Sequence, residues 1–240
     1  MRMKILAIDS SGLAASAAVT EDGILIAEYT VHYKKTHSQT LLPMIDEISR
    51  MIDLNLSTLD AIAVAGGPGS FTGLRIGSAT AKGLGLALDK PLIPVPTLEA
   101  MAYNLYGAAG LVCPMMDARR SQVYTGIYRF RGAEFITVLA QRAEAVEETA
   151  AQLNEMGEPV ILLGDGAAAY RDKLEGMLQV PWTIAPAHVN RQRAGAVAAL
   201  AERYFAEGRI PAAEHRPEYL RLSQAERERA ERERESGVQA

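Results

Sequence analysis

The sequence predicts an α/β fold built from two tandem units, each running β-β-β-α-β-α. Three observations carry the prediction. Short apolar runs end in an acid at matching places in the two halves, at Asp9 and at Asp117. Each of these runs opens a meander of strands joined by tight turns, and helical periodicity follows only afterwards. A chain of 240 residues that is 48% hydrophobic can bury a core large enough for one or two such units.

In the first half, residues 4–8 form a strand that Asp9-Ser10-Ser11-Gly12 turns, and residues 14–20 continue as small and β-branched side chains. Glu21-Asp22-Gly23 is a hairpin signal, and residues 24–31 return as a third strand. A helix is expected over residues 38–53 with Leu41, Ile45, Ile48 and Ile52 on one face, and with Pro43 in its first turn or at a kink. Residues 61–65 read as a buried strand, followed by a glycine-rich loop, a helix to about Leu88 and a strand over residues 92–95. The second half repeats the pattern. Residues 111–116 are apolar, Asp117-Ala118-Arg119-Arg120 turns, and strands follow over residues 122–130 and 134–139. A helix over residues 143–155, a strand over residues 160–163 closed by Gly164-Asp165-Gly166, and helices over residues 167–178 and 191–207 complete it.

Two such units in tandem describe the actin, hexokinase and Hsp70 type of fold (ASKHA, ribonuclease H-like). The expected lobes are residues 1–98 and 99–190, with the boundary within 97–101. The helix from residue 191 returns to complete the first lobe through about residue 222, and residues 223–240 form a charged tail. That tail is mainly alternating Glu and Arg, lacks apolar positions, and is expected to be disordered or a solvated helix.

Net charge is −4, and Lys and Arg are scattered, so the chain lacks the basic face of a protein that grips nucleic acid alone. The single cysteine, Cys113, lies in an apolar run and reads as packing. It excludes a disulfide framework or a multi-cysteine metal site. The N-terminal apolar run stops at Asp9, unlike a signal peptide, and nothing later reaches membrane-spanning length. A soluble, cytoplasmic protein is expected.

The predicted fold ordinarily clamps nucleotide phosphates between its lobes. Asp9, Ser10 and Ser11 at the first turn, and Gly164, Asp165 and Gly166 at the later one, are the candidate positions. Ordinary turns need the same residues, so the expectation is weak ATP or ADP binding, with no cofactor required.

The glycine-rich segment Gly66-Gly67-Pro68-Gly69-Ser70-Phe71-Thr72-Gly73-Leu74-Arg75-Ile76-Gly77 follows a buried strand and opens a helix. It lacks the Gly-Lys-Ser/Thr run of a Walker A loop, and Thr72 stands where a dinucleotide fingerprint needs its third glycine. Gly73, Gly77, Ala81 and Gly85 recur every fourth residue and share one helix face. Each glycine costs a helix about 1 kcal/mol relative to alanine, and close packing is the natural offset. The face packs either within the subunit or against a partner, and the sequence leaves both open.

This segment resembles the signature of the TsaB (YeaZ) family. The likeness extends to Ile8-Asp9-Ser10-Ser11, Thr36-His37-Ser38-Gln39, Pro96-Thr97-Leu98-Glu99-Ala100-Met101-Ala102, Met116-Asp117-Ala118-Arg119-Arg120 with Val123-Tyr124, and Pro217-Glu218-Tyr219-Leu220-Arg221. It covers residues 3 to about 222. The resemblance implies an actin-like two-lobe fold and partnership with the paralogue TsaD, which moves a threonylcarbamoyl group onto adenosine 37 of tRNA. The ATPase TsaE is implied as a third subunit, tRNA is met only through the complex, and no membrane is involved. Alone, the chain is expected to form a homodimer. The shared surface is implied to be the first two helices, residues 38–51 and 71–86. On these positions it falls to His37, Thr40, Leu41, Met44, Phe71, Thr72, Gly73, Leu74, Arg75, Gly77, Ser78, Ala81, Lys82 and Gly85.

The catalytic paralogue binds a metal through two histidines at i and i+4, and the corresponding places here hold Thr97 and Met101. Neither replaces imidazole. The histidines present, His32, His37, His188 and His215, supply no other i, i+4 pair. No catalytic residue and no metal ligand is therefore assigned, and a non-catalytic partner of the transferase is the expected role. The alternative is an independent actin-fold ATPase or kinase, or a metal-dependent peptidase. Arg119 and Arg120 are able to meet phosphate or a partner acid, although a solvated or salt-bridged hairpin tip is the commoner role.

Overall fold

Two strands buried along nearly their whole length mark the centre of the first sheet. β1 (Lys4–Asp9) and β4 (Ala61–Ala65) run parallel, and both faces of each are covered. β2 (Ala15–Glu21) pairs antiparallel with β1, and β3 (Ile24–Val31) lies antiparallel on β2 as an edge strand. β5 (Leu92–Val95) closes the other side, giving the order β3-β2-β1-β4-β5. The computed structural model describes residues 3–33, 35–209 and 215–221.

The second sheet repeats this order. β6 (Leu111–Arg119), β7 (Gln122–Arg131), β8 (Glu134–Ala145), β9 (Val160–Leu163) and β10 (Trp182–Ile184) assemble as β8-β7-β6-β9-β10. Asp9 and Asp117 thus lie toward the ends of topologically equivalent strands. The fold is the α/β tandem that the sequence predicts.

Helices cover both faces of the first sheet. α1 (His37–Met51) and α2 (Phe71–Leu88) share one apolar cluster, in which Leu41, Ile45 and Ile48 meet Leu6, Ile8 and Val64. α7 (Ala194–Ala206) covers the opposite face, burying Val197, Leu200 and Tyr204 against Ile5, Ala63 and Val95. Its start is pinned by Glu28 on β3, which accepts from Gly195 N at 2.9 Å and from the Arg193 guanidinium. α3 (Thr97–Tyr103) joins the sheets, packing Leu98, Met101 and Ala102 against Val112, Tyr128 and Leu163. α4 (Val146–Met156), α5 (Asp165–Ala169) and α6 (Arg171–Glu175) complete the second half.

Several element boundaries differ from the sequence reading. Residues 143–145 extend β8 rather than opening a helix, because Ala145 and Glu144 remain paired to Gln122 and Val123 on β7. Their Ala/Glu composition favours helix locally, and the ladder overrides it. Residues 167–178 do not form one helix: α5 and α6 break at Tyr170 (φ −110°, ψ 19°). α7 starts at Ala194 rather than at 191. Pro43 is the seventh residue of α1, not in its first turn, and leaves the Gln39 carbonyl without its helical donor. β10 was not foreseen, since three residues carry too little periodicity. The charged tail, residues 223–240, lies outside the described residues.

Candidate functional site

The ends of β1 and β4, the start of α2 and the tip of β6–β7 converge on a cleft of about 570 Å3. Ser11, Gly69, Ser70 and Phe71 line it from the first half, and Asp117, Arg119, Tyr124 and Asp165 from the second. Sequence reasoning placed Asp9, Ser10, Ser11, Gly164, Asp165 and Gly166 at this junction. The structure brings Ser11 and Asp165 to the cleft itself, and sets Asp9 and Ser10 beneath it.

Asp9 is fully buried. Its Oδ1 accepts from Ser11 N at 2.9 Å and from Ser11 Oγ at 2.7 Å, whereas Oδ2 has no partner. Burial outweighs those hydrogen bonds and pushes the carboxyl up to about 6. On the other side, Gly164 N donates to Asn190, and Asp165 Oδ1 accepts from Asp117 N at 3.2 Å. Backbone donors that a phosphate would use at Ser11 and Gly164 are therefore already engaged by the chain's own acceptors. The buried Cys113 thiol is pushed up to about 12, which removes it as a nucleophile near neutral pH. Among the described residues, no group of three His, Cys, Asp or Glu side chains is placed to hold a metal ion.

The glycine-rich turn is locked from three directions. Ser70 caps α2, accepting from Gly73 N at 3.2 Å, and its own N–H donates to Ser11 O at 2.7 Å. Thr97 exchanges two bonds with Gly67: Gly67 N donates to Thr97 Oγ1 and Thr97 N to Gly67 O. Met101 is buried against Gly164. Both positions serve packing.

The glycine face of α2 is turned inward. A Cβ on Gly73 would lie 2.1 Å from Ser10 O, and one on Gly77 would lie 2.3 Å from Ser10 Oγ. Ser10 Oγ in turn donates to Gly73 O at 2.8 Å. Close approach of α2 to the end of β1 is what these glycines permit. Of the fourteen interface positions expected from the sequence, Leu41, Met44, Gly73, Leu74, Gly77, Ser78, Ala81 and Gly85 are buried within the chain. Within the chain, Gly73 and Gly77 pack against Ser10 and Gly85 against the Lys90 carbonyl. Thr72, Arg75 and Lys82 are exposed, and His37, Thr40 and Phe71 are half-buried. His37 Nε2 bonds Gly12 O at 2.8 Å, which ties α1 to the first turn. Sequence reasoning missed the exposed apolar residues Leu42, Met51 and Leu86, the last 88% exposed. The signal was available, since each lies off the buried stripe of its helix.

A second feature was only partly read. The segment 215–221 crosses the glycine-rich turn and touches both halves. His215 Nε2 lies 3.0 Å from Ser78 Oγ, Glu218 N donates to Gly66 O at 2.7 Å, and Tyr219 stacks on Phe71 at 4.4 Å. Arg75 lies over the Phe71 ring and donates to the Tyr219 hydroxyl, while Arg221 donates to Ala118 O on β6. Gln141 on β8 bonds the Glu218 carboxylate. Gly67 accommodates this strap: its φ is 115°, and a Cβ there would meet Glu218 O at 2.3 Å.

Comparison with known proteins follows the same geometry. A family model described as "TsaD: tRNA N6-adenosine threonylcarbamoyltransferase" matches residues 25–229. The tRNA threonylcarbamoyladenosine biosynthesis protein TsaB of Bacillus subtilis (strain 168) is 34% identical over 227 residues, covering 93% of this chain and 96% of that protein. The chain belongs to the TsaB (YeaZ) family. TsaB of Escherichia coli (strain K12) is 36% identical over 230 residues, 91% of this chain and 95% of that one. YeaZ from Pseudomonas aeruginosa superposes with a TM-score of 0.78 at 29% identity, covering 91% of this chain and 100% of the other. Fold alone is shared with component A of (R)-2-hydroxyglutaryl-CoA dehydratase from Acidaminococcus fermentans, at 13% identity and a TM-score of 0.51 over 85% of this chain and 99% of that one. Among the described residues no helix is long and apolar enough to cross a membrane.

Proposed function

We propose that this TsaB-family chain is a non-catalytic partner subunit in forming threonylcarbamoyladenosine on tRNA, working as a heterodimer with the transferase paralogue TsaD. The observation that carries the reading is the pair Thr97 and Met101. At the places of the paralogue's metal-binding histidines, the chain puts a hydroxyl bonded to Gly67 and a buried thioether. Asp9 is sealed beneath the cleft, and the ionisable groups that line it are engaged by the chain itself: His37 Nε2 with Gly12 O, Asp117 with Arg119 N, and Asp165 with Asp117 N.

The partner surface is assigned to the outer faces of α1 and α2. These helices run alike, since β3 and β4 that feed them are parallel to β1. Their exposed residues Leu42, Met51, Thr72, Arg75, Lys82 and Leu86 present apolar area beside cations, and apolar area of that kind supports docking. The same face serves homodimerisation when the chain is alone, and TsaE joins the assembled complex. The cleft is proposed as a vestigial nucleotide site with weak ATP or ADP binding at most, because Ser11 N and Gly164 N are already engaged. The protein acts in the cytoplasm.

Calorimetric titration of the chain with the transferase of the same organism tests the surface. Leu86→Glu should weaken the heterodimer about tenfold or more, because a carboxylate would be buried in an apolar contact. Affinity equal to wild type would remove α2 from the interface.

A further inference from the structure

The hairpin joining β6 to β7 holds Arg119, Arg120 and Ser121 at φ 67°, 56° and 56°. A two-residue hairpin loop of type I′ needs positive φ at both central positions, and Asn-Gly supplies it at little steric cost. Arg-Ser occupies that loop here, and a further left-handed arginine precedes it. Side chains with a Cβ resist this conformation, so the surroundings must impose it. They do. Asp117 Oδ1 accepts from Arg119 N at 2.8 Å and from the Tyr170 hydroxyl at 2.9 Å, and Asp117 Oδ2 pairs with the Arg119 guanidinium at 3.3 Å. Ser121 O accepts from Val146 N, at the start of α4. The Arg221 guanidinium bonds Ala118 O from the strap.

What this clamping achieves is presentation. The Arg119 side chain is 86% exposed although it is braced, and Arg120 is exposed with no ion-pair or hydrogen-bond partner among the described residues. Lys35, also exposed and unpaired among them, lines the same cleft, as does Tyr33 at 70% exposure. Arg119 and Lys35 thus share one mouth with Tyr33 and Tyr124, with Asp117 and Asp165 set into its wall, and Arg120 stands next to Arg119 at the hairpin tip. Cations that track a phosphate backbone next to rings on which bases stack are the chemistry of single-stranded nucleic acid binding. An acidic protein surface would need the cations alone. The rim also lies where the N-terminal ends of α1 and α2 begin, beside the proposed partner face.

We infer that the Arg119–Arg120 hairpin tip, with Lys35 and Tyr33 across the cleft, is an RNA-contacting rim that holds tRNA phosphates when the chain is in complex with its transferase partner. The inference rests on the functional reading above and deepens it, by giving this chain direct contact with the substrate.

The test uses the assembled complex and tRNA, with affinity followed by filter binding between about 50 and 200 mM salt. Arg120→Gln alters an exposed side chain with no ion-pair or hydrogen-bond partner among the described residues, so the fold is retained. It should weaken tRNA binding several-fold and lower the salt slope by about one. Replacing Arg119 as well should bring the loss to on the order of tenfold, and Arg120→Lys should restore most of the single loss. Affinity for the protein partner, measured by calorimetry, should not change. Unchanged tRNA affinity and slope in an active complex overturn the inference alone. Weakened protein association with intact tRNA affinity per complex assigns the tip to an acidic protein surface and also overturns it. A wild-type complex that neither binds nor modifies tRNA overturns both this inference and the functional reading.

Discussion

Gly73 and Gly83 stand on the same helix, yet substitution at them should act in opposite directions. At Gly83 a Cβ meets nothing within 4 Å, so Gly83→Ala should stabilise the protein by about 0.5–1 kcal/mol through helix propensity. At Gly73 the same methyl collides with Ser10 O, a backbone atom, and Gly73→Ala should destabilise by about 1–3 kcal/mol. Urea denaturation of both variants checks the pair, and similar effects would contradict the inward orientation of the face. Asp9 gives a residue-level prediction about pH. Its folded carboxyl is raised to about 6, so the fold favours the protonated form. The stabilisation is present below the ordinary carboxylate value of 3.8 and is lost as pH rises through 6, by up to about 3 kcal/mol. Asp9→Asn should cancel that dependence, so the difference between wild type and variant should change sign or shrink between pH 4 and 7 in denaturation curves.

The strap belongs to the scale of elements. Residues 215–221 touch α2, β6 and β8, so loosening the strap should free the contact between halves. Tyr219→Ala removes the stack on Phe71 and should speed amide exchange in the strap by about tenfold, leaving the centres of β1 and β4 protected. His215 adds a pH dependence of opposite sign to that of Asp9. Burial, with the Lys82 charge nearby, lowers its imidazole below the ordinary value of 6.5. Docking thus favours the neutral ring, and strap protection is present above 6.5 and lost as pH falls below it. Exchange at pH 5 and pH 8 measures this, and His215→Gln should flatten it. The elements also show what the sequence can and cannot reveal. Strands β1, β4, β6 and β9 were legible because unbroken apolar runs bounded by acids or glycines have few other uses. Residues 143–145 were misread, since helix propensity is local whereas their pairing to β7 is not. The strap motif was visible as a family likeness, but nothing in its residues says that they cross a cleft.

For the whole molecule, the two sheets with one strand order explain why the tandem was legible before any side-chain contact was known. The shared strand order gives Asp9 and Asp117 equivalent places toward the ends of β1 and β6. The glycine stripe shows the limit of the same reading. Its spacing requires a close neighbour but cannot say whether that neighbour is another chain or the chain's own β1. Gly73 and Gly77 meet Ser10, just past the end of β1, and the proposed partner surface lies at Leu42, Met51, Leu86 and the cations beside them. The central claim is that this surface activates another protein's chemistry and that the chain has none of its own. Threonylcarbamoyl transfer from pre-made threonylcarbamoyl-adenylate to tRNA tests it, with the organism's transferase alone, this chain alone, and both together. Transfer only in the mixture is the predicted result; transfer by this chain alone would contradict it.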